Sequence, residues 1–222
     1  MKTIHKVLKY ELRNVLRGRS LVVYTICLLL LTEGVIRLGG GGTRAVLSLM
    51  NVVLILVPLV SLLFGTMYLY AAREFIELLL AQPVDRRSLF VGLFGGLALP
   101  LSAAVLIGVG FPFLWHSTPS LAGPVGVLLV TGVLLSIVFT ALAFLVALVF
   151  ADRAKGLGAA IMLWLVVTVL YDGVLLAVVA TFRDYPLENP LLVLTLFNPV
   201  DLGRVLLLLT VDIAALMGYT GA

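Results

Sequence analysis

Charge is scarce in this chain, so the few charged side chains inside apolar sequence mark where chemistry is available. Glu33 and Arg37 stand four residues apart near the end of one apolar run. Helical spacing puts them on one face, where they can pair. An ion pair at a membrane edge and a polar lining to a path both fit that spacing. Asp172 lies well inside another apolar run. A lone carboxylate in hydrocarbon is costly, so it must face protein or water, or hold a proton. Path lining, an interhelical contact and a position nearer the interface all remain open for it. Its neighbour Tyr171 cannot share its face. The third feature is the charged island Arg73–Ser88 between two long apolar stretches. A helix from Arg73 would gather Phe75, Ile76, Leu79 and Leu80 on one side, with Glu74 and Glu77 towards the other. Pro83 stops it, and Asp85-Arg86-Arg87-Ser88 opens the next segment, with Ser88 as a candidate cap. Such a short amphipathic helix can seat in a groove of a soluble partner. An ordinary charged loop is the plainer alternative.

Other chemistry is thin. The glycines Gly39–Gly42 are followed by Thr43-Arg44 and not by the Lys-Ser/Thr of a phosphate-binding loop, so they read as a tight turn. No Ser-His-Asp set or His-Glu-x-x-His pattern can be assembled. Asp172 and Asp212 are the only candidates for a paired-carboxylate intramembrane protease, and neither lies in a recognisable protease context. The single cysteine, Cys27, cannot form an intrachain disulfide. Met50, Met67, Met162 and Met217 do not cluster, so no site in this chain is expected to hold a metal.

The elements that position these residues follow from composition. Of 222 residues, 62 % are hydrophobic and 12 % charged. A soluble domain has roughly 45–50 % and about 25 %. A mean hydropathy of +1.22 agrees, and the chain reads as an all-α, polytopic membrane protein. Five runs reach the ~20 residues a spanning helix needs. They cover about Leu21–Leu38, Ala45–Ala72, Leu89–Trp115, Gly123–Ala151 and Leu157–Phe182. With no water to satisfy the backbone, helices are the form they must take; they are too long and too uniformly apolar for barrel strands. The net charge of +4 is distributed by topology and does not form a nucleic-acid patch. Eleven Lys and Arg fall on the side of the N-terminus and four on the other, which predicts a cytoplasmic N-terminus in the cell (inner or plasma) membrane. His5 and His116 then lie on opposite sides and share no site. Residues 1–20 carry Ile4, Val7, Leu8, Leu12, Val15 and Leu16 at helical spacing among six basic residues, which predicts a basic amphipathic helix in the cytoplasmic interface. Residues 21–182 form the transmembrane domain. Residues 183–222 fall outside it, and Asp201–Tyr219 reads either as a sixth span or as an extracytoplasmic helix with one wet face. The sequence stops at Gly-Tyr-Thr-Gly-Ala without a basic end, from which we expect a C-terminal remainder. Gly92, Gly95, Gly96, Gly108 and Gly110 suit close helix packing.

Four segments carry a resemblance. Lys-Tyr-Glu-Leu-Arg-Asn-Val-Leu-Arg-Gly-Arg (9–19) resembles the opening of the ABC-2 type exporter permeases. Glu77-Leu-Leu-Leu-Ala-Gln-Pro-Val-Asp-Arg-Arg87 is similar to that family's coupling segment. Tyr171-Asp172-Gly173 and Leu196-Phe-Asn-Pro-Val-Asp-Leu-Gly-Arg204 lean towards the permeases of nitrous-oxide reductase (copper enzyme) maturation. The resemblance implies six spans, of which five are visible here, and a permease homodimer working with a cytoplasmic ABC ATPase. It implies that ATP and Mg are bound by that partner and no cofactor by this chain, with a periplasmic maturation protein as a further candidate partner. It also implies that segment 73–88 is the coupling element. Glu74, Glu77, Asp85, Arg86 and Arg87 would make its polar contacts, and Phe75, Leu79 and Leu80 its apolar anchors. Asp172, Glu33 and Arg37 are the candidates for the substrate path. A membrane scaffold that tethers partners without moving a substrate is the alternative from another class.

Overall fold

A computed structural model describes residues 18–38, 42–81, 85–116, 121–182 and 188–219, without the side chains of 43, 188–190, 192 and 212–219. The amphipathic segment before Gly18, His5, Gly39–Gly41, Pro83 and the Asp212 side chain therefore lie outside the described part. Every described element is helical: α1 (Arg19–Leu38), α2 (Gly42–Ala71), α3 (Arg73–Leu80), α4 (Arg86–Trp115), α5 (Ala122–Val149), α6 (Arg153–Leu165), α7 (Tyr171–Thr181), α8 (Glu188–Phe197) and α9 (Pro199–Tyr219). A π-helical turn, Val166–Leu170, joins α6 to α7 without a break. Among the described residues, five stretches are long and apolar enough to cross a membrane: Arg19–Leu38, Arg44–Ala71, Arg86–Trp115, Ala122–Val149 and Arg153–Thr181. They coincide with the five runs read from hydropathy to within a few residues.

Helices α2 and α5 form the centre. Helix α4 packs on α5, α1 packs on α4, α6 runs along α2, and α9 lies against α5 and α2. Val53, Leu54, Val57 and Leu62 of α2 meet Leu128, Phe139 and Ala143 of α5, all fully enclosed. In lipid, apolar side chains gain little by leaving the hydrocarbon, so helix association rests on close backbone approach at small residues. Gly65 gives that approach: a Cβ built there would stand 2.4 Å from Ala143 Cβ. Gly108 does the same between α4 and α1, where a Cβ would meet Leu28 Cβ at 2.6 Å. Gly110 has only an ordinary contact with Leu129, so the glycine run of α4 is not uniformly a packing seam. The outer surface, by contrast, is lined with exposed Val23, Leu30, Phe111, Leu145, Leu148, Met162 and Leu176. This is the surface a bilayer would cover.

Candidate functional site

Helix α3 follows α2 after the single residue Ala72, which begins no side-chain cap of its own. Ile76 and Leu79 turn inwards and pack against the core, while Arg73, Glu74, Phe75, Glu77, Leu78 and Leu80 are exposed. The apolar stripe anticipated from spacing is therefore split. At 100° per residue it is wider than the strip of bundle it touches, so Ile76 and Leu79 fill the contact and Phe75 and Leu80 flank it. Glu77 Oε1 lies 3.7 Å from Arg73 Nε in an exposed pair of little energetic weight.

The start of α4 differs from expectation in one respect. Asp85, not Ser88, is the cap: its backbone is extended, and its carboxylate accepts from Ser88 N–H at 3.1 Å and from Ser88 Oγ at 3.0 Å. Ser88 is the third helical residue, where it donates. The hydroxyl bond, then the backbone bond, holds the Asp85 carboxyl below its ordinary range. A carboxyl bound more weakly by protons when folded stabilises the fold above its unfolded pKa of ~3.9 and ceases to as pH falls through its lower folded value. Protection of the Ser88 amide against hydrogen exchange is thus expected to fall below about pH 4, and in Asp85→Ala to be low at every pH. Equal protection in both proteins would remove Asp85 as the cap. Arg86 and Arg87 open α4 beside it, both exposed.

The second site is built at mid-helix depth where α9 begins. Asn198 is the N-cap of α9, with its Oδ1 accepting from Val200 N–H at 3.0 Å, and Pro199 occupies the first helical position, where a missing N–H costs nothing. Asn198 Nδ2 donates both to Asp201 Oδ2 at 2.9 Å and to the Val167 carbonyl at 2.8 Å. Val167 lies in the π turn, where the wider i→i+5 pairing leaves a carbonyl in need of a partner. Asn198 therefore anchors α9 to the fifth span through a backbone irregularity of that span. One turn on, Arg204 Nη1 donates to Asp172 Oδ2 at 2.7 Å and to Asp201 Oδ1 at 3.2 Å. Asp201 is 4 % exposed, while Asp172 and Arg204 are half-buried. The Tyr171 hydroxyl donates to the Leu194 carbonyl of α8, on a different side from Asp172. Asp172 is thus an interhelical contact, ion-paired with an Arg204 that it shares with Asp201. Arg204, Asp201 and Asn198 were not tied to it by sequence. The signal was present, since a carboxylate at membrane depth requires a cation and Arg204 is the basic residue of the apolar C-terminal segment.

Glu33 and Arg37 pair as their spacing requires, Arg37 Nε to Glu33 Oε1 at 2.6 Å. They stand in the last two turns of α1, which ends at Leu38, and His116 Nδ1 approaches Glu33 Oε2 to 3.8 Å. With Leu29, Phe111, Pro112 and Trp115 these residues line a cavity of about 360 Å³ between α1 and α4. It lies at the opposite end of the bundle from α3, and the Asp172 cluster is not part of its lining. The three candidate path residues therefore belong to two separate places.

The described chain is thus a bundle of five apolar spans, interrupted after the second by a short amphipathic helix. Residues 42–219 match the family model described as ABC-2 family transporter protein, and the chain belongs to that family. Two relatives share most of its length. The probable ABC transporter permease protein NosY of Pseudomonas aeruginosa is 29 % identical over 98 % of this chain and 86 % of its own length. Its namesake from Stutzerimonas stutzeri is 27 % identical over 93 % of this chain and 81 % of its own. The chain is accordingly a multi-pass permease subunit of a transporter, and its family implies an ABC ATPase as partner.

Proposed function

We propose that this chain is the permease half of an ATP-driven transporter in the cell inner membrane, with its N-terminus and the α3 end of the bundle in the cytoplasm. Two copies act together against two ATPase subunits, which bind and hydrolyse ATP with Mg. Closure of the ATPases pushes α3 and the start of α4, and the spans answer as rigid bodies, changing which side of the dimer is open. The observation that supports this best is α3 itself. A helix of eight residues, set between two spans, exposes Phe75, Leu78 and Leu80 together with Glu74 and Glu77. That mixture suits a partner groove with an apolar floor and a charged rim. Asp85, Arg86 and Arg87 continue the charged rim into α4. The reading extends to the metalloenzyme (copper, nitrous-oxide reductase) maturation type, with a periplasmic maturation protein as a further partner; it rests on the resemblance carried by Tyr171–Gly173 and Leu196–Arg204, and both relatives carry the permease name NosY.

Affinity purification in mild detergent with a Glu77→Lys/Arg86→Glu comparison tests the proposal. An ATP-binding subunit should accompany the parent protein in equal amount and be reduced at least tenfold in the double variant, which should still fold and insert. A parent protein that purifies without any ATPase would instead favour the non-transporting scaffold.

A further inference from the structure

The turn between α5 and α6 is held by the α2–α3 corner through two bonds that no sequence pattern announces. The Tyr70 hydroxyl, at the last position but one of α2, donates to the Phe150 carbonyl at 2.7 Å. Arg73 Nη1, at the first position of α3, donates to the Ala151 carbonyl at 2.9 Å. Both acceptors belong to the extended stretch that links the two helices, and in it Phe150 has left the helical conformation. Immediately after it, Asp152 caps α6, accepting from Ala154 N–H at 2.7 Å and Lys155 N–H at 3.3 Å. The Asp152 cap makes the start of α6 follow that stretch.

Gly156 completes the arrangement. It is buried in the first turn of α6, and a Cβ there would stand 1.8 Å from the Tyr70 hydroxyl oxygen and 2.7 Å from Cζ. The Tyr70 ring lies across the bare backbone of α6, and any side chain at 156 would expel it. The span that begins here is also the least enclosed of the five, with 6 % of its most apolar window buried. Along it, Trp164 Nε1 bonds the Ile55 carbonyl of α2 at 3.1 Å. A lightly held span, grasped at its end by two side chains from the α3 corner, is mechanically suited to follow that corner.

We infer that Tyr70 and Arg73 are the transmission residues of this permease. They carry a displacement of α3 to the fifth span through the Phe150 and Ala151 carbonyls, and Gly156 is a positioning residue that admits the Tyr70 ring. This rests on the reading of α3 as the element on which the ATPase acts.

The test uses the permease–ATPase complex in a Cys27→Ser background, with spin labels at Gly123→Cys and Leu176→Cys, both exposed and remote from α3. The distance between labels is measured with and without ATP and vanadate. The parent complex should shift on trapping. Tyr70→Phe, which lies outside α3 and deletes the Phe150 contact without adding an atom to the corner, should retain the ATPase and its hydrolysis while reducing that shift, and Tyr70→Phe/Arg73→Gln, read in complexes that hold their ATPase, should lose at least half of it. Gly156→Ala should lower the melting midpoint in the parent but lower it no further in a Tyr70→Ala background, because the ring it collides with is gone. A full shift in the double variant, or an equal Gly156→Ala penalty in both backgrounds, overturns the transmission assignment and leaves the coupling role of α3 standing. A parent complex that holds its ATPase but shows no shift overturns the coupling role, and the transmission role with it.

Discussion

Replacing Arg204 with Met is expected to destabilise the folded protein by on the order of 3 kcal/mol, and to lower its melting midpoint in detergent by roughly 6–12 °C. The guanidinium is the shared partner of Asp172 and Asp201, at 2.7 and 3.2 Å. Without it two carboxylates face each other beside apolar α5 and α2, with Asn198 as the donor left to Asp201. Most of the loss is the cost of uncompensated charge and not the worth of the ion pair itself, since forming a buried pair and removing one half of it are different events. Asp172→Asn/Asp201→Asn/Arg204→Met removes the charges together and should recover at least half of the midpoint. Were the single variant to melt with the parent, or the triple variant to melt no higher than the single, the cluster would not be what fastens α9 to the fifth span.

The second large effect comes from one methyl group. Gly65→Ala is expected to destabilise by about 2 kcal/mol, within the range for overpacked interiors. In an open helix the same change would stabilise by about 1 kcal/mol, through propensity alone. The sign reverses here because the new Cβ would meet Ala143 Cβ at 2.4 Å. Both atoms are fixed to their backbones, so neither can rotate away and α2 and α5 must separate. Gly34→Ala, with nothing within 4 Å of its Cβ position, is the matched control and should not destabilise. Exchanging the pair, Gly65→Ala/Ala143→Gly, restores the space from the other side and should return most of the midpoint. Thermal melting of the four proteins in one detergent decides it: a Gly65→Ala midpoint at or above that of the parent refutes the close-approach argument.

The spans were readable because uniform apolarity over more than about twenty residues has one physical outcome in a membrane. The Glu33–Arg37 pair was readable because it is local, four residues along one helix. What sequence did not disclose is every relation between distant positions. Asp172 and Arg204 are 32 residues apart across the α8 segment and the Asn198–Pro199 break. Tyr70 and Phe150 are separated by 80. Spacing rules describe one helix at a time and carry nothing across such intervals. The exchange of roles between Asp85 and Ser88 is a smaller case. Both residue types cap helices, and the decision rests on which backbone is extended, a property of the chain entering from α3. The apolar stripe of α3 was correct in composition but could not reveal which part of it the bundle would claim.

The separation of 32 residues between Asp172 and Arg204 also has a meaning in time. A chain made at 5–20 residues per second presents the fifth span to the insertion machinery a few seconds before its partner arginine exists. During that interval an aspartate within the span has no cation, at a cost of up to about 2.5–3.5 kcal/mol were it to reach the bilayer centre. The span's own apolar residues must outweigh that cost, or it must wait beside the insertion channel until α9 arrives. A nascent chain that ends before Arg204 therefore leaves the Asp172 carboxylate of the fifth span without its cation, and the pairing is completed only when the start of α9 has been made.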